Sequence, residues 1–117
     1  MIEITLGWPP SELSPNKRLH WAVKRLHTQR YRESCFWQAQ CEGIRPNQVY
    51  KAPVSIHLTF VPPDRRHYDE DNLVARSKAL LDGLSDAMGI NDREFRLSHE
   101  LDREHIGGMV KVRITCA

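Results

Sequence analysis

The chain has 117 residues, 40% of them hydrophobic and 27% charged, enough apolar content to bury one core but no apolar run near the roughly 20 residues a membrane-spanning helix needs. Its first residues, Met1-Ile2-Glu3-Ile4-Thr5-Leu6, lack the basic start and long apolar stretch of a secretory signal, so a single domain, residues 1–117, that stays in the cytoplasm is expected. Seventeen Lys and Arg against fifteen Asp and Glu leave a net charge of +2, which excludes nothing by itself.

Charge distribution says more. Residues 1–51 hold eight basic and four acidic side chains, and residues 52–117 hold nine and eleven, so the halves carry +4 and −2. Lys17, Arg18, Lys24, Arg25, Arg30 and Arg32 occur with no acid among them and with His20, Trp21, His27 and Tyr31 interleaved. Such a run suits a phosphate backbone and its bases, and a solvated, Arg-rich helix face is the competing reading. Cys35, Cys41 and Cys116 fit neither a zinc spacing nor a disulfide framework and read as reduced, structural thiols.

In chain order, alternation predicts a first strand with Ile2, Ile4 and Leu6 on one face. Residues 7–20, rich in Pro, Ser and Asn, read as an ordered but irregular loop. A helix follows from about Thr28 to Glu42, with Tyr31, Cys35, Gln38 and Ala39 along one side and Gly43 after it. Val54, Ile56, Leu58 and Phe60 form the next strand, which Pro62-Pro63 ends by removing backbone donors. From about Asn72 to Met88, Leu73, Ser77, Leu80, Leu81, Leu84 and Met88 recur at helical spacing, and Gly89 supplies the stop. Two last strands, around Phe95 to Leu101 and Val110 to Cys116, flank Gly107-Gly108, which reads as a hairpin turn. The order predicts a small α+β domain with a mixed or mostly antiparallel four-stranded sheet and two main helices. The crossover through the second helix is able to join parallel neighbours, and would then be right-handed.

The densest acidic segment, Asp64-Arg65-Arg66-His67-Tyr68-Asp69-Glu70-Asp71-Asn72, lies between a strand end and a helix start. Loops at element ends expose side chains on a rigid support, where carboxylates need not be buried bare. In an extended Asp-x-Asp, Asp69 and Asp71 point the same way about 7 Å apart, and a divalent cation relieves their repulsion. Such oxygen ligands suit magnesium or manganese, which keep waters and bind a substrate phosphate. Alternatively these acids are N-terminal helix charges with Asp71 as the cap. Asp92 follows the helix, whose ~17 residues span about 25 Å, so Asp92 nears the pair only if the chain returns along the helix or a second subunit contributes. Lys78, seven residues after Asp71, is almost in line with it and suits a phosphate's developing charge; an i, i+4 pair with Asp82 is its ordinary alternative. His57 and His99 read as packed or solvated strand residues, and His67 is two residues from Asp69.

The chain resembles the RusA family of Holliday junction resolvases, small endodeoxyribonucleases common in prophages. The resemblance rests on Trp8-Pro9-Pro10-Ser11, Pro15-Asn16-Lys17-Arg18, Asp64-Arg65-Arg66, Asp69-Glu70-Asp71-Asn72-Leu73, Lys78, Leu81-Asp82-Gly83-Leu84 and Ile90-Asn91-Asp92, in the family's order and at nearly its spacing. It implies that Asp69, Asp71 and Asp92 bind magnesium and are required for cleavage, that a lysine of the following helix supports catalysis, and that a homodimer nicks a four-way junction symmetrically. Counted back from Asp82-Gly83-Leu84, that lysine is Lys78, with about three extra residues near the helix start; counted forward from Asp71-Asn72-Leu73, the position holds Ala75. Lys17 to Arg32 and Arg65-Arg66 would then hold the junction arms. A branched-DNA-binding phage protein without catalysis is the alternative.

Overall fold

The computed structural model describes residues 1–46, 48 and 50–116. Its elements are β1 (Ile2–Gly7), α1 (Trp21–Cys41), β2 (Val54–Val61), α2 (Glu70–Arg76), α3 (Lys78–Met88), β3 (Phe95–Leu101) and β4 (Met109–Cys116), with short 3-10 turns at Ser11–Leu13 and Asp92–Glu94. The alternation of Ile4 and Leu6 in β1, Val54, Ile56, Leu58 and Phe60 in β2, and Val110, Val112 and Ile114 in β4 buries one face of the sheet. Tyr31, Cys35 and Ala39 of α1, Leu73 of α2 and Leu80, Leu84, Ala87 and Met88 of α3 complete the same core, which makes the chain a small α+β fold. Among the described residues no helix is long and apolar enough to cross a membrane.

The strand order is β1-β4-β2-β3, with β4 antiparallel to β1 and β2, and β3 parallel to β2. The α2–α3 segment is thus a crossover between parallel neighbours, as its length allows. The hairpin expected at Gly107-Gly108 does not form, because β2 lies between β3 and β4. Instead the Gly107 and Gly108 N–H groups donate to Pro62 O at 2.8 and 3.1 Å, so the connection closes over the end of β2. β3 is an edge strand that the helices leave largely uncovered, and its Leu97 is exposed.

Two helix expectations change. α1 begins at Trp21, a full turn and more before Thr28, and its start is capped by His20 Nδ1 accepting from Ala22 N at 3.2 Å. The single helix expected from Asn72 to Met88 is two, broken at Ser77, whose buried hydroxyl donates to Leu73 O at 2.8 Å. A Ser returning a bond to the carbonyl four residues back bends a helix. Gly89 ends α3 at φ +70°, the left-handed conformation glycine adopts at no steric cost.

Candidate functional site

The acidic segment is held from both sides. Asp64 Oδ1 accepts from Arg66 N and from the Tyr68 hydroxyl, each at 3.0 Å. The Arg66 N–H is the main cause, and Tyr68 a further one, of an Asp64 carboxyl held below its usual range. Tyr68 packs edge-on to Trp8 at 5.4 Å, and Trp8 edge-on to Phe60 of β2 at 6.3 Å. Behind them Arg76, a buried cation that no sequence pattern marked, donates to Pro9 O at 2.8 Å and lies 6.0 Å from the Trp8 ring. Burial pulls the Arg76 pKa down, and the Pro9 and Pro10 carbonyls take up its donors, with Pro10 O at 3.4 Å. The Trp8-Pro9-Pro10 loop is thereby tied to α2.

Asp69, not Asp71, caps α2: its Oδ1 accepts from Asp71 N at 3.0 Å. The cap occupies one oxygen of Asp69, and the exposed Asp71 carboxylate has no hydrogen-bond partner among the described residues. Glu70, between them, meets His99 Nδ1 of β3 at 2.5 Å, fixing the start of α2 to the edge strand. No feature of the sequence marked this pair, because its partners lie on elements 29 residues apart.

Lys78, the first residue of α3, reaches Asp82 Oδ1 at 2.7 Å and Asp92 Oδ2 at 2.8 Å. Both the expected i, i+4 pair and the link to Asp92 therefore exist at one ammonium. The Asp82 and then the Asp92 contact raise the Lys78 pKa, and Lys78 in turn holds the Asp92 carboxyl below its usual range. The chain after Gly89 does return along α3, within the same subunit, far enough to bring Asp92 to Lys78. It does not gather all three aspartates: among the described residues no three His, Cys, Asp or Glu side chains stand together as a metal cage. Asp69 and Asp71 form one group at the start of α2, and Lys78, Asp82 and Asp92 a second beside α3. The donor set fits magnesium in kind, since each group offers hard carboxylate oxygens and an octahedral ion fills its other positions with water and phosphate oxygens.

The basic residues divide similarly. Lys24 lines a groove of about 250 Å³ with Thr28, Ala75, Arg76 and Lys78, which brings the basic stretch to the lysine of the second group. Lys17, Arg18, Arg25 and Arg30 are exposed. Arg32 is engaged in a two-pronged pair with Asp86 of α3, at 2.7 and 2.9 Å. Arg65, Arg66 and His67 line another cleft, together with Tyr68. Cys35 is buried, which pushes its thiol pKa up to about 12 and keeps it inert; Cys41 and Cys116 are exposed free thiols.

The geometry defines a small α+β protein whose carboxylates and cations collect where β2, α2, α3 and β3 meet. No model of a known protein family matches the chain. Over 122 aligned residues it is 37% identical to an uncharacterized protein of Xylella fastidiosa (strain Temecula1 / ATCC 700964), an alignment covering 98% of this chain and 76% of the relative. The chain belongs to the same family as that protein.

Proposed function

We propose that the protein is a magnesium-dependent endodeoxyribonuclease that resolves four-way DNA junctions by paired nicks, acting as a homodimer. The observation that carries this reading is the Lys78–Asp92 contact of 2.8 Å, because it joins two residues that the sequence resemblance names together and that 14 positions separate. The resemblance also favours Lys78 over Ala75 on this ground: Ala75 has no group with which to meet a carboxylate or phosphate. The break at Ser77 puts Lys78 at the head of α3.

The Asp69–Asp71 pair at the start of α2, and Asp92 of the second group beside α3, are the carboxylates that would hold magnesium, or manganese in its place, and the ion when bound supplies charge to a phosphoryl oxygen of the scissile phosphodiester. Lys78 contributes a fixed cation for the charge that develops on that phosphate, its ammonium held by Asp82 and Asp92. The Asp69 cap orients the Asp71 backbone and so its side chain. Lys24, beside Lys78, and the exposed Lys17, Arg18, Arg25 and Arg30 supply attraction to the junction arms.

The test is a nicking assay on a synthetic four-way junction and a matching linear duplex, with magnesium, calcium or chelator, beside Asp71→Asn. Paired nicks on the junction alone, dependent on magnesium and lost in the variant, are expected, with junction binding by the variant kept or tightened because a charge facing phosphate is gone. An Asp71→Asn protein that still cuts at the wild-type rate overturns the assignment. Junction binding with no cut under any condition moves the function to a non-catalytic branched-DNA-binding protein.

A further inference from the structure

Just past the end of β2, the loop of Asp64 to Tyr68 and the β3–β4 connection flank an open cleft of about 390 Å³. Arg65 and Arg66 stand on one lip and Arg103 and His105 on the other, with His67 beside them and Leu101 and Ile106 supplying an apolar wall. Two carboxylates also line it, and both are already satisfied. Asp64 is held by Arg66 N and Tyr68. Asp102 accepts from Glu104 N at 2.9 Å, from His105 N at 3.0 Å and from His105 Nδ1 at 2.9 Å. Asp64 also draws the Arg66 guanidinium to 3.5 Å, but among the described residues neither Arg65 nor Arg103 has a carboxylate within 4 Å. Asp102, by taking the Nδ1 side of His105, leaves Nε2 as the ring atom for a ligand.

We infer that this cleft binds a phosphodiester of a DNA strand, with Arg65 and Arg103 as its two cationic arms, His105 beside Arg103 as a ring held by Asp102, and the Tyr68–Ile106 side as the surface for the sugar and base. Two guanidiniums that line one open cleft with no carboxylate within 4 Å among the described residues suit an anion, and Arg presents a planar fork matched to phosphate oxygens. Tyr68, which lines the cleft, is the chain neighbour of Asp69, so the cleft adjoins the acidic segment along the chain. Identifying the anion as DNA rests on the proposed nuclease reading; the cationic cleft itself does not.

The experiment therefore has two arms. In the first, junction binding in calcium is followed by fluorescence anisotropy across salt for the wild type and for Arg65→Gln with Arg103→Gln, both exposed positions at which Gln keeps part of the stem. Binding at ~0.1 M salt is expected to weaken about 10- to 100-fold, with the slope of log affinity against log salt shallower by about 1.8 for two lost phosphate contacts. In the second, the His105 and His67 ring signals are followed by NMR as the dinucleotide TpT is added; both are expected to shift in the wild type and not in the double variant. Wild-type junction binding with an unchanged slope in the variant overturns the cleft and leaves the nuclease reading intact. No junction binding, but TpT shifts that the variant abolishes, supports the cleft and overturns the nuclease reading. Histidine signals that ignore TpT, together with an unchanged slope or no junction binding, overturn the cleft.

Discussion

The Lys78 ammonium sits between two carboxylates, 2.8 Å from Asp92 and 2.7 Å from Asp82, and only the second of these is a neighbour along the helix. The two contacts have different consequences. Asp92 is the residue that the proposed reaction uses, whereas Asp82 holds the lysine from the side. Lys78→Met removes the cation and leaves Asp82 and Asp92 facing each other, so nicking should fall on the order of 10²- to 10³-fold, the scale for losing one preorganised electrostatic group. Asp82→Asn leaves the Lys78–Asp92 contact and should cost activity far less. In unfolding by urea, both variants should stay within about 1 kcal/mol of the wild type, because the Lys78 side chain is mostly exposed. Equal loss of cutting in the two would show that Asp82 is as necessary to the site as Lys78.

The two arginines at the end of the basic stretch should separate. Arg32 is held by Asp86 through both of its prongs, while Arg30 is exposed on the same helix with no carboxylate partner among the described residues. Arg30→Ala should make the salt dependence of junction binding shallower by about 0.9, the share of a single phosphate contact. Arg32→Ala should hardly change that slope and should instead lower stability by about 0.2–1 kcal/mol, as for a partly exposed ion pair between α1 and α3. Anisotropy across a salt series and urea unfolding of each variant measure these. A larger slope change for Arg32→Ala than for Arg30→Ala would mean that the Asp86 pair opens to DNA.

What the sequence made legible follows from how local each signal is. The strands were readable because Val54 to Phe60 and Val110 to Ile114 alternate against a single covered face. Their pairing was not, because Gly107-Gly108 has the composition of a hairpin turn whichever strand lies next, and β2 takes that place through contacts tens of residues away. The start of α1 was hidden for two reasons. Trp21, Val23 and Leu26 are exposed and form no buried stripe, and the cap is a histidine rather than Ser, Thr, Asp or Asn. Ser77 fitted the buried stripe of one long helix and is indeed buried, yet its hydroxyl returns to Leu73 O and breaks the helix there. At the candidate site, Asp69, Asp71, Lys78 and Asp92 came from spacing and resemblance. Glu70–His99, Arg76–Pro9 and the lips of the Arg65–Arg103 cleft join elements far apart in sequence, and only the assembled fold brings them together.

Gly83 controls how closely α1 and α3 approach beneath the site. A Cβ added there would lie 2.5 Å from Arg32 O and 3.1 Å from Cys35 Cβ, and the first of these is backbone that cannot rotate away. Gly83→Ala therefore sets two effects against each other. Replacing glycine in a helix favours the folded state by about 0.5–1 kcal/mol, and forcing an extra methyl into a packed helix pair costs about 1–3 kcal/mol. The clash should win, for a net loss of about 1–2 kcal/mol and a drop of several degrees in Tm. Because α3 begins with Lys78 and carries Asp82, its displacement from α1 should also disturb the Lys78–Asp92 contact, so cutting should fall more than stability alone accounts for when both are measured well below Tm. Thermal unfolding and nicking of the purified variant test this together. A Gly83→Ala protein as stable as the wild type would show that α1 yields at Arg32, and that the close crossing of the two helices is not what sets the position of Lys78.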